Sequence, residues 1–61
     1  MKRIRLKRKP SFYEDLRFSQ WLTDDKILEV VLDRKNRVEE ISMDAARYRH
    51  IVSELKSLHY I

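Results

Sequence analysis

The side chains that could do chemistry in this 61-residue chain are two carboxylate pairs, Asp24–Asp25 and Glu39–Glu40, two histidines, and a dense run of N-terminal cations. Paired carboxylates bind a metal or divide acid and base roles only when both reach one reacting centre. Consecutive residues on a strand point to opposite faces, so neither pair reads as a catalytic or metal dyad; a turn and a solvated strand account for them. His50 and His59 fall on one helical stretch, about 180° apart around its axis and about 13 Å apart along it. They cannot share a metal within one chain. Glycine and cysteine are both absent, which removes glycine-rich phosphate loops, thiolate metal sites and disulfides. A core this small also leaves little room for a pocket. The sequence reads as a non-enzyme, with no cofactor and no metal.

The cations are the stronger signal. The opening stretch MKRIRLKRKP carries Lys2, Arg3, Arg5, Lys7, Arg8 and Lys9 and no acid. The chain holds 14 Lys and Arg against 10 Asp and Glu, so residues 11–61 retain 8 cations and 10 acids and are slightly negative. Any pull on an anionic partner must come mostly from the first ten residues. If that stretch is extended, Arg3, Arg5, Lys7 and Lys9 share one side, with like charges repeating about every 6.6 Å. Ile4 and Leu6 then lie on the other side, ready to dock on the domain. Such a comb fits a phosphate backbone, with affinity that falls as salt rises and with no base readout. Two structural alternatives compete with it: an edge strand whose charges discourage aggregation, and a disordered tail. Arg47 and Arg49 are second candidates for phosphate contact. With His50 they sit early in a helix, where cations oppose the dipole, and Asp44 and Glu54 can compensate them.

Two functions fit. The first is a small nucleic-acid-binding protein, a regulator acting on DNA or RNA, with contacts from Lys2, Arg3, Arg5, Lys7, Arg8, Lys9, Arg47 and Arg49. The second is a protein-interaction module, an inhibitor or adaptor of a larger protein. It would bind through an acidic hairpin carrying Asp24, Asp25, Glu29, Glu39 and Glu40, or through an exposed Trp21, which a strand would place opposite Phe18. Tyr13 and Trp21 could also stack on bases if exposed. Core packing is the expected role of Phe12, Phe18 and Tyr48.

These residues need elements to position them. Asp33–Asn36, DRKN, separates the apolar segments KILEVVL and RVEEISM. Asp33 can bond the backbone two residues on, and Asn36 tolerates the left-handed conformation that an absent glycine would otherwise supply. A hairpin is predicted, with strands over 26–33 and 37–43; Val38 falls on the opposite face from Ile41 and Met43. From the cap Asp44 a helix follows, with Tyr48, Ile51, Val52, Leu55 and Leu58 as its apolar stripe. A longer helix from Asn36, with heptad spacing through Val38, Ile41 and Ala45, ranks below the hairpin. Residues 11–15 read as a helical turn opened by Ser11 and Glu14, and 16–22 as a strand. The expected fold is α+β: a small three-stranded antiparallel meander with one C-terminal helix, to which residues 1–10 add a basic arm or a further edge strand. Residues 11–61 form a single domain. A domain this small buries a limited core, and a homodimer is the remedy left open. No apolar run approaches the length of a membrane span, and no apolar signal region follows the basic start. A soluble, cytoplasmic protein with no membrane partner is expected.

Overall fold

The computed structural model describes residues 1–61 as five elements: β1 (Lys2–Arg5), α1 (Leu16–Thr23), β2 (Glu29–Leu32), β3 (Val38–Met43) and α2 (Ala45–Ser57). The class is α+β. The three strands form one antiparallel sheet in the order β1-β3-β2, so β3 is central and the basic N-terminal segment is itself one edge. The sheet is not a meander of consecutive hairpins. The strand expected over 16–22 is the helix α1, and residues 2–5 supply the third strand instead of a fourth.

Local chemistry explains most of this. The Asp33 carboxylate accepts the backbone N–H groups of Lys35 and Arg37, each at 2.9 Å, and the Arg37 Nε–H at 3.0 Å. Asn36 sits at φ 59°, the left-handed region. The turn thus uses the two residues that its sequence offers. β1 pairs with β3 from Lys2 opposite Met43 to Arg5 opposite Glu40. Alternation then drives Ile4 and Leu6 into the core, 7% and 3% exposed, while Arg3 and Arg5 point outward. Burying two such side chains contributes roughly 1.5–3 kcal/mol each.

Val38 corrects the sequence reading. Val31 pairs with Glu40 but Leu32 pairs with Val38, so β3 carries one extra residue at Glu39. That bulge resets the side-chain phase. Val38, Ile41 and Met43 therefore all face the core and are fully buried.

α1 begins at Asp15, whose carboxylate accepts the Arg17 N–H at 3.1 Å. The expected Ser11–Glu14 capping pair does not form; Ser11 bridges to Arg37 instead. Phe18 and Trp21 are three apart, which on a helix places both on one face. Both are buried, and their rings meet edge-to-face at 5.3 Å. Trp21 is consequently no exposed anchor, a direct result of reading a 3.6-residue period as a 2-residue one.

α2 starts after Asp44 as expected, although the Asp44 side chain makes no capping bond. Ile51 and Leu55 enter the core, whereas residues 45–50 are all exposed, Tyr48 among them. The helix closes with His59 at φ 63°. The His59 N–H reaches the Lys56 carbonyl at 3.1 Å and the Tyr60 N–H reaches the Leu55 carbonyl at 2.9 Å. This is a Schellman closure with histidine where glycine is usual. Both helices feed one core on one face of the sheet, α1 against β2 and α2 against β1. No helix is long and apolar enough to cross a membrane.

Candidate nucleic-acid interface

Strand direction sorts the charged residues into two ends of the molecule. β1 runs away from Lys2, and β3 runs back toward Met43. Lys2, the Asp24–Asp25 turn, Glu29 and the start of α2 therefore lie at one end. Lys7–Lys9, the Asp33–Asn36 turn, the start of α1 and Tyr60 lie at the other. The 13 residues of α2 separate the ends by about 20 Å. Arg47 and Arg49 sit at the first end near Lys2, whose Nζ lies 5.6 Å from the Tyr48 ring centroid. The eight proposed phosphate contacts thus form two groups rather than one surface.

In the first half of the basic stretch Arg3 and Arg5, though not Lys2, are matched by the protein's own acids. Arg3 faces Glu40 at 3.9 Å and Arg5 faces Glu39 at 3.9 Å, across the outer face of the sheet. Lys9 reaches Glu39 at 3.1 Å and Asp33 at 4.0 Å. These are solvent-exposed pairs worth about 0–1 kcal/mol each, but they turn the expected cationic comb into a face of mixed sign. Glu39 and Glu40 are engaged there and are not an open acidic hairpin.

The second half behaves differently. Lys7 and Arg8 leave the strand, and both backbone N–H groups bond the Tyr60 carbonyl, at 2.7 and 3.1 Å. The Lys7 and Arg8 side chains make no ion pair. Arg8 lies over the Tyr60 ring, 5.9 Å from its centroid. The chain then runs against the hairpin: the Val38 N–H bonds the Pro10 carbonyl at 2.7 Å, and the Phe12 N–H bonds the Asn36 carbonyl at 3.1 Å. This pairing carries the end of the basic stretch to the turn bearing Arg34 and Lys35. Neither of those cations has an ion-pair partner either. Four unpaired cations from two distant parts of the sequence thus share one end.

Beside them opens a groove of about 790 Å³, lined by Arg8, Lys9, Ser11, Asp15, Arg17 and Tyr60 among others. Tyr60 donates its hydroxyl to Asp15 at 2.5 Å. That bond, with burial, raises the Tyr60 pKa above 10.0. Arg17 is held by Asp15 at 3.4 Å. The groove therefore mixes both charges, and of the four unpaired cations only Arg8 lines it. Asp33 has its pKa lowered from 3.8, first by the Arg37 backbone N–H and further by the Lys35 N–H and the Arg37 side chain. It stays ionised and holds the turn's shape.

Sequence reasoning missed Arg34 and Lys35. They stand in a turn of mixed charge, and only the pairing of residues 10–12 with 36–38 brings them to Lys7 and Arg8. Of the alternative protein-binding residues, Asp24, Asp25 and Glu29 remain exposed and without ion pairs. No group of three His, Cys, Asp or Glu side chains is placed to hold a metal. A scan against protein-family models finds no match, and neither the curated proteins nor the solved structures hold a significant relative of the chain.

Proposed function

We propose that this is a small, non-enzymatic nucleic-acid-binding protein that grips phosphates through Lys7, Arg8, Arg34 and Lys35. The observation that carries the reading is the meeting of these four unpaired cations at one end, where the neighbouring Arg5, Lys9 and Arg37 are matched by the protein's own carboxylates. Phosphate contacts of this kind fix position and carry no sequence information. Four of them on duplex DNA give a salt slope of about −3.6 in log K against log salt.

The test is fluorescence anisotropy with labelled duplex DNA, single-stranded DNA and RNA at several salt concentrations. Deleting residues 1–9 is the wrong variant, because it removes β1 with the buried Ile4 and Leu6. Lys7→Ala with Arg8→Ala is the right one, and it should flatten the duplex slope by about 1.8. No binding to any of the three polymers at low salt, or a slope unmoved by the double variant, overturns the reading.

The second reading, a protein-interaction module, draws on a different surface. Asp24, Asp25 and Glu29 lie near two exposed leucines, Leu22 and Leu28, at 40% and 49% exposure. Capture of a stoichiometric protein partner after nuclease treatment, lost in Leu28→Lys, would favour it.

A further inference from the structure

The two edges of the sheet are built to different rules. β1 carries Lys2, Arg3 and Arg5 on its four residues, the usual guard against strand addition. β2 is Glu-Val-Val-Leu, with Leu28 before it, no proline and no cation. Its outer side has no neighbouring strand. Val30, Val31 and Leu32 are only half-buried there, and Leu28 is exposed.

α1 extends this apolar margin. Arg17 lines a small cleft with Glu54, Ser57 and Leu58, so the Arg17 side of α1 turns toward α2. Leu22 lies about 140° further around the helix, beyond Phe18. It therefore turns away from α2, toward the open edge of β2, where α1 packs. Leu22 on the helix layer, the exposed Leu28 just before the strand, and Val30 and Leu32 on its core face form one apolar rim.

We propose that this rim is the interface of a homodimer in which the β2 strands of two copies pair antiparallel about a two-fold axis near Val30. Such an axis, normal to the sheet, keeps both helix layers on one side and joins two three-stranded sheets into one of six strands. Charge selects a second copy as the occupant. β2 starts beside the Asp24–Asp25 turn and ends at the Arg34–Lys35 turn. Antiparallel pairing sets each copy's acidic turn against the other's basic one. Asp24 bonds only Gln20, Asp25 bonds no side chain, and neither is in an ion pair. A two-fold interface needs such self-complementarity, and the shared rim enlarges a core that is small for a lone chain.

Arg34 and Lys35 serve both this interface and the polyanion. Lys7 and Arg8 serve only the polyanion; Leu22, Leu28, Asp24 and Asp25 serve only the dimer. The experiment is sedimentation velocity in the absence of nucleic acid, up to about 100 µM protein. A species of twice the monomer mass is expected, and Leu22→Lys with Leu28→Lys should raise its dissociation constant at least about tenfold. Asp24→Lys with Asp25→Asn weakens it, and so does Arg34→Glu with Lys35→Glu. Asparagine at 25 keeps a residue tolerant of φ 57°. Mixing those two charge variants restores a heterodimer, since every facing turn is again opposite in sign. A monomer throughout, a dimer indifferent to the leucine variants, or no recovery on mixing overturns the proposal.

Discussion

The two halves of the basic N-terminal stretch have nearly the same composition, yet two of three cations are paired in the first and one of three in the second. Lys2–Arg5 is a strand, and its registry with β3 sets Arg3 and Arg5 beside Glu40 and Glu39. Lys7–Lys9 has left the sheet, and two of its three cations are unmatched. Charge density along a sequence therefore does not measure the charge that a partner meets. Alternation within a strand aims side chains at whatever the neighbouring strand carries, and here that strand carries glutamates.

The sharpest way to break this comparison is to remove the apolar side of the strand. Leu6→Ala should cost about 2–5 kcal/mol, much of the stability of a small domain, and urea unfolding would read the loss. If the stretch were a loose tail, the midpoint would not move. Next in size, Lys7→Glu with Arg8→Glu should weaken polyanion binding by at least about tenfold at low salt, with little change in stability. Arg3→Gln with Arg5→Gln should weaken it distinctly less in the same titration. Equal losses would erase the difference between the halves.

Acid should then separate the turn from the strand. Asp33 has a lowered pKa in the fold, so its stabilising effect is present above pH 3.8 and is lost as pH falls through the lower folded value. Asp33→Asn should flatten stability below pH 3.8, as followed by thermal unfolding at stepped pH. The smallest effect is expected from Glu40→Gln. Its exposed pair with Arg3 is worth about 0–1 kcal/mol, and urea titration should show a change within that range.

The hairpin turn and α2 were legible because their signals are local. Asp33 and Asn36 act over two to four residues, and Ile51 and Leu55 repeat at helical spacing. Ile4 and Leu6 facing inward with Arg3 and Arg5 outward was legible too, since alternation alone decides it. Residues 16–22 were not. Leu16, Phe18 and Leu22 mimic strand alternation, yet Leu16 ends on the outer face at 70% exposure. Only the Phe18–Trp21 spacing separates the two periods, and one such pair is weak support. The phase of Val38 was hidden because nothing local announces a bulge at Glu39. The candidate site was half legible: Lys7 and Arg8 stand in the basic run, but their meeting with Arg34 and Lys35 depends on backbone pairing across more than 25 residues. Arg47 and Arg49 were placed with them by charge alone, and topology puts them at the opposite end.

The Schellman closure of α2 has a consequence for engineering. A side chain held at φ 63° costs on the order of 1 kcal/mol that glycine would not incur. His59 makes no side-chain hydrogen bond or ion pair that would repay this. His59→Gly should raise the melting temperature by a few degrees. A chain without a single glycine thus holds thermal reserve at one backbone position, reachable without touching the open strand.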